Sequence, residues 1–184
     1  MRDRRREGGN QTLEFTLVGI PLLFILFGVA NMSFAMLTLH TLQEACEQGA
    51  RYAATRGSTC SSGTNTCGVT VGQIAGVISK AAAGISPASL IVTLTVCAAG
   101  SSYATCSPVN SPVNQVSCNP LTSCSGSSTA WPSSSNNTAG SYDVIVSADC
   151  TVASPIFMYW PSGGPAVKTQ SSTFHAYSRQ ELVF

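Results

Sequence analysis

The hydrophobic and polar positions of this chain follow three patterns in turn. From Phe15 to Gln43 there is no Asp, Glu, Lys or Arg, and Phe15 to Leu39 alone is 25 residues. A helix of that length spans a hydrocarbon core of roughly 30 Å. Helical spacing continues beyond the apolar run. Leu39, Leu42, Cys46, Ala50 and Ala53 recur three and four apart, the pattern of a stripe facing a protein body. Glu47 and Arg51 form an i,i+4 pair on the outer side. One helix is therefore expected from about Gln11 to Arg56, roughly 69 Å long. Pro21 removes one backbone donor within it, and Gly57 ends it.

A Gly/Ser/Thr/Cys loop is expected from Ser58 to Gly68. Thr70-x-x-Gln73 then has capping-box spacing, and Val71, Ile74, Val77, Ile78 and Ala81 repeat at helical intervals. This predicts a second helix from Val71 to Ala83, stopped at Gly84. Period two follows. Val92, Leu94 and Val96 alternate with Thr93 and Thr95 in a strand from Leu90 to Cys97. Tyr142, Val144, Val146, Ala148 and Cys150 share one face of a second strand, and a third is expected from about Thr169 to Ser178. Between the first two strands, Ala98 to Ser141 is polar, holds three cysteines and is expected to be a stapled loop. Pro155 to Pro161 is an apolar, aromatic turn that either caps the core or forms an exposed contact patch. The elements predict an α+β fold: a long N-terminal helix packed on a small antiparallel sheet of three strands, with a second short helix.

Charge gives the long helix an orientation. The leader, Arg2-Asp3-Arg4-Arg5-Arg6-Glu7, holds four Arg against two acids and should remain cytoplasmic. Glu14 sits at the start of the apolar run, where a lone carboxylate is costly unless it is near headgroups or paired. An ordinary secretory signal fits poorly, because its apolar region is normally about 7–15 residues. A generic signal anchor explains the span but neither Gly8-Gly9 before Asn10 nor Glu14.

Basic leader, Gly9, four residues, Glu14, then an apolar helix resembles a class III signal, the substrate of a prepilin peptidase. The Leu13-Glu14-Phe15 start, Pro21, Phe27-Gly28 and the exit Glu47-x-Gly49-Ala50-Arg51-Tyr52-Ala53 are similar to TadE-like pseudopilins. These are minor components of the tight adherence (Tad/Flp) pilus assembly system, related to type IV pilins. Thr173 to Glu181 resembles, more weakly, the strand that closes such proteins. The resemblance implies cleavage after Gly9, with Asn10 as the new N-terminus and Glu14 and Phe15 in the assembly segment. It also implies insertion in the bacterial inner membrane, and partnership with prepilin peptidase, other pilins or pseudopilins and the Tad assembly platform. On this basis residues 1–9 are a leader, 10–57 the long helix with its span at about 15–39, and 58–184 an extracytoplasmic domain. After cleavage the α-amine of Asn10 would lie one helical turn from Glu14, where pairing lowers the cost of burying either charge. Alternatively, Glu14 simply lies at headgroup level.

Eight cysteines stand at positions 46, 60, 67, 97, 106, 118, 124 and 150, all beyond the span. An even count outside the cytoplasm reads as disulfides, so Cys46, Cys60, Cys67, Cys97, Cys106, Cys118, Cys124 and Cys150 are the candidates. Cys60–Cys67 and Cys118–Cys124 are short-range pairs, and Cys46 is expected to bond a body cysteine, with Cys150 the choice. No Cys-x-x-Cys occurs and only His40 and His175 add imidazoles, so no metal site is expected.

The formal net charge is +1, and Arg51, Arg56, Lys80, Lys168 and Arg179 form no stripe, which argues against nucleic acid. A Ser/His/Asp set can be drawn from His175, Asp149 and any of many serines, but no Gly-x-Ser-x-Gly elbow supports it. No P-loop or dinucleotide fingerprint occurs either, so neither an enzyme, a cofactor nor a small-molecule substrate is expected. Asn136-Asn137-Thr138 reads as an ordinary polar loop. The competing function is a membrane-anchored, disulfide-rich adhesin or binding domain that never enters a pilus.

Overall fold

The computed structural model describes residues 7–56, 61–62, 65–100, 115–132, 140–153 and 171–183. Its first element is the helix α1, Glu7–Ala54, which runs without a break through Pro21. It begins one turn earlier than its periodicity indicates. The turn beyond it holds Thr55 and Arg56 by bonds to Arg51 and Ala53 carbonyls at 3.2 and 3.3 Å. Gly57 lies outside the described residues, as do Asn136 to Thr138 and the aromatic turn from Pro155 to Pro161. The chain divides into two compact units, one holding α1 up to Leu37 and the other Thr38–Ala153 with Ser171–Phe184.

The second unit is an α+β body. After α1 come the two-residue strands β1 (Ser61–Ser62) and β2 (Asn65–Thr66), the helix α2 (Val71–Ala81), and strands β3 (Leu90–Ala98), β4 (Gln115–Cys118), β5 (Tyr142–Ala153) and β6 (Ser171–Glu181). The main sheet is antiparallel in the order β4-β3-β5-β6. Register places Leu90 opposite Cys150 and Ala148 opposite Ala176. The even positions Leu90, Val92, Leu94, Val96, Val144, Val146, Ala148 and Cys150 are all buried on one face. Leu42, Ala45, Cys46, Ala50 and Ala53 of α1 join the same core, with Val71, Ile74 and Ile78 of α2. The predicted helical stripe is thus correct, except that Leu39 is only half-buried.

The sheet has four strands where three were expected. The correction lies in the stretch from Ala98 to Ser141, which is not one loop. Gln115-Val116-Ser117-Cys118 forms an edge strand that alternates exposed positions with half-buried or buried ones over only four residues, too few to stand out within a polar stretch. Cys118 and Cys124 are disulfide-bonded, as their spacing suggested, around a short 3-10 turn. Leu121 and Trp131 from this stretch are core residues, exposed by 2% and 1%.

That stapled segment also completes α2. The capping box is present: Gln73 N–H donates to Thr70 Oγ1 at 3.3 Å, and Thr70 N–H donates to Gln73 Oε1 at 3.1 Å. The two preceding helical donors have no partner within a helix. Val71 N–H donates to the Thr129 carbonyl at 2.9 Å, and Gly72 N–H to the Ser127 carbonyl at 3.1 Å. A side chain at Gly72 would meet Ser127 backbone atoms at 2.8 Å, so glycine is required for this approach. Ala82, not Ala83, then ends the helix by donating to Ile78 at 2.9 Å.

Candidate functional site

The sequence places its candidate site on α1. Gly9 and Asn10 lie in the first turn of this helix, and Glu14, one turn beyond Asn10, is exposed. Phe15 follows with 78% of its surface exposed. Large apolar side chains continue outward on every face of the helix: Leu17, Phe24, Phe27, Met32 and Leu37 are all about half exposed or more. None of the most apolar window is buried within the chain, and α1 is long and apolar enough to cross a membrane. Water cannot be the final environment of so much contiguous apolar surface. Hydrocarbon, or the apolar surface of other helices, satisfies it. Thr16 and Ser33 do not disturb this surface, since their hydroxyls donate to carbonyls three or four residues back, at 2.9–3.0 Å.

The exit of the helix has the opposite character. Glu47 and Arg51 pair as the spacing indicates. Arg56 lies over the Tyr52 ring, 4.2 Å from its centroid, and donates to the Tyr52 hydroxyl at 2.6 Å. On the inner side, a methyl group built at Gly49 would lie 2.6 Å from Cγ1 of Ile78 and 3.8 Å from Cγ1 of Val146. The missing side chain lets α1 meet α2 and β5 at once. Sequence patterning singles out the exit segment but not this requirement, because the facing residues come from distant positions.

The cysteines divide into two groups. Cys67 and Cys97 are disulfide-bonded, while Cys60 and Cys106 lie outside the described residues. The expected Cys46–Cys150 bond is absent, and both are buried free thiols. The two sulfurs have different neighbours. Cys46 Sγ donates to the Ala176 carbonyl on β6 at 3.7 Å, whereas Cys150 Sγ lies 4.0 Å from Ser89 Oγ, just before β3. Burial pushes the Cys46 thiol up to about 12, with the negative charge of Asp149 adding to the shift. Cys150 is also raised by burial, against the lowering effect of the Ser89 contact.

On the sheet face away from this core, register brings together residues remote in sequence. Asp149 and His175 are cross-strand neighbours, with Oδ1 and Nδ1 2.5 Å apart. Arg179 Nε donates to the buried Asp143 carboxylate at 2.8 Å. The His/Asp part of the set considered from sequence is therefore real. Next to it, the Ser147 hydroxyl is directed to the Thr93 carbonyl at 3.4 Å, and Thr151 faces Thr173 at 3.3 Å. These are cross-strand pairs along β3, β5 and β6, of the kind that fix sheet register.

Residues 9–51 match the family model of TadE-like protein. The match covers under a quarter of the 184 residues, from the start of α1 to the Glu47–Arg51 exit. Neither a curated protein nor a solved structure matches the chain. The matched residues are those whose surface demands an apolar environment together with the small-residue exit that enters the body, and over them the chain is similar to TadE-like protein.

Proposed function

We propose that this protein is a minor pseudopilin-like structural component of a Tad-type pilus. It is a non-catalytic subunit, held in the bacterial inner membrane by α1 with its N-terminus cytoplasmic and its α+β body outside. Prepilin peptidase cleaves it after Gly9, and the new amine of Asn10 pairs with Glu14 in the same or a neighbouring helix. The observation that carries this reading is the coincidence of the TadE-like match, which opens at residue 9, with a continuous helix of exposed apolar residues. Before assembly the span rests in lipid; afterwards, other pilins or pseudopilins supply the apolar contacts. The exit segment transmits that position to the body, which supports pilus biogenesis and adhesion.

The decisive experiment is the mature mass of membrane-extracted protein. Cleavage after Gly9 is expected, and Gly9→Trp should leave the longer precursor, because a bulky side chain obstructs close backbone approach in the peptidase site. An unchanged mature mass in that variant refutes processing at this position. Glu14→Gln should insert and be cleaved normally but reduce pilus yield, since the Asn10 amine loses its charged partner. Wild-type yield would leave Glu14 as an interfacial acid.

A further inference from the structure

The body keeps two fully buried thiols in its helix–sheet core while other cysteines of the same body are bonded. Their positions define a seam. Gly49 of α1 meets Ile78 of α2 and Val146 of β5. One turn back, Cys46 donates to the carbonyl of Ala176, whose strand partner is Ala148 of β5. Cys150 is the next residue along β5 to face the core after Ala148, and Leu42, one turn further back on α1, is also fully buried. Helix and strand thus run past one another from Gly49 and Val146 toward Leu42 and Cys150, with Cys46 on the docked face of α1 and Cys150 further along the same core face of β5, its Sγ 4.0 Å from Ser89 Oγ.

We infer that Cys46 and Cys150 are cryptic thiols gated by the docking of α1: they are unreactive while residues 42–54 lie on the sheet, and opening of this seam makes them sites of thiol–disulfide exchange that trap the undocked chain. The step is a displacement. The exposed cysteine loses its proton to solvent, and the thiolate attacks a low-molecular-weight disulfide. A new protein–sulfur bond forms, the old S–S bond breaks, and the departing thiolate takes up a proton. The adduct cannot return to a site with no exposed surface, because a core of native density has no volume for it. An assembled or correctly folded subunit would therefore keep its thiols, and a subunit with a loosened helix would be marked covalently. The chemistry is independent of the pilus function proposed above. Only the presence of an oxidant around the body in the cell rests on that reading, so an experiment on purified protein separates the two.

The probe is oxidised glutathione, added to the full-length protein in detergent micelles and followed by intact mass and peptide mapping. Wild-type protein should acquire adducts on Cys46 and Cys150 rapidly only in denaturant. Gly49→Ala, which forces a methyl group against Ile78, should accelerate modification about tenfold under native conditions. In the adducted protein, hydrogen exchange should show loss of protection across residues 42–54. Native wild-type modification at the unfolded-chain rate would overturn the inference. So would a folded Gly49→Ala with an unchanged rate, or an adduct that leaves helix protection intact. If Gly49→Ala does not fold, wild-type protein in sub-denaturing urea provides the test. Both thiols should then respond with one common urea dependence, and different dependences would show that no single seam gates them.

Discussion

Within the single helix α1, two stretches solve opposite problems with different apolar residues. From Phe15 to Leu37 the apolar positions are mostly large, and the large ones are exposed. From Leu42 to Ala54 the buried positions are mostly Ala, Cys and Gly. Large side chains maximise apolar area toward a surrounding phase that adapts to their shape. Small ones let the backbone approach a sheet whose shape is already set. Hydropathy alone does not separate these roles, but residue volume does. The TadE-like match spans most of both stretches, so it covers an anchor and its docking segment together.

The comparison breaks most visibly when one charge is placed in each stretch. Leu42→Asp puts a carboxylate into a core position with no exposed surface and no cation facing it among the described core residues. The expected loss exceeds about 4 kcal/mol, enough to unfold the body. Leu26→Asp should leave the body's unfolding transition unchanged within about 0.5 kcal/mol, while membrane insertion worsens by about 2.5–3.5 kcal/mol. Near-ultraviolet circular dichroism of micelle-held protein reads the first quantity, and membrane fractionation reads the second. Equal loss of body structure in both variants would contradict the division of labour.

A gentler form uses the same substitution twice. Gly49→Ala overpacks against Ile78 and should destabilise the body by about 1–3 kcal/mol. Gly28→Ala meets nothing within 4 Å and should leave body stability unchanged. Urea denaturation midpoints at constant m decide the matter. If Gly28→Ala were the more damaging, close packing would have to be sought in the span instead.

Much of this organisation is legible in the amino-acid order, and the exceptions have physical causes. The apolar run, the Gly9 to Glu14 motif and the exit stripe are local patterns, so spacing alone exposes them. The same holds for the Thr70–Gln73 capping box and for strands β3, β5 and β6. Strand β4 is hidden because its alternation runs for only four residues inside a polar stretch, too short to be told from chance. Trp131 sits in a polar stretch, and it is carried into the core by bonds between remote segments: Val71 and Gly72 N–H donate to the Thr129 and Ser127 carbonyls, and Trp131 N–H donates to the Val69 carbonyl at 3.0 Å. Cys46 was correctly placed on the buried face, but its neighbour was not, because a thiol's partner depends on the register between helix and sheet. Asp149 and His175 can be named together from the sequence, but their pairing, like that of Asp143 with Arg179, depends on the register between β5 and β6 and is not written in either strand alone.

The buried thiol gives the docking segment a pH signature that the span lacks. Cys46 moves from an ordinary value of 9.0 to about 12 on folding, chiefly through burial. Above pH 9 the unfolded chain releases this proton while the folded chain retains it, so folded protein binds more protons and stability falls as pH rises. The slope is about 1.4 kcal/mol per pH unit at most, giving a loss of about 1.4 kcal/mol by pH 10. Cys46→Ala should flatten the decline between pH 8 and 10, leaving a residual slope from Cys150, whose thiol is raised in the same direction. Urea midpoints across that range measure it, and identical slopes in variant and wild type would mean that Cys46 is not buried as a thiol.

The smallest effect belongs to the outer face of the same docking segment. Glu47 and Arg51 pair at i,i+4 with the acid nearer the N-terminus, the favourable order on a helix. Their side chains are 40% and 67% exposed, so solvent screens most of the attraction. Glu47→Gln should therefore cost only about 0.3–0.5 kcal/mol, and the cost should vanish in high salt. A double-mutant cycle with Arg51→Gln isolates the pair from other effects of either change. A coupling well above 1 kcal/mol in the isolated subunit would show that the exit is stabilised by charge as much as by the small-residue seam. A weak coupling leaves the inner face, centred on Gly49 and Cys46, as the part of the TadE-like exit that binds helix to body.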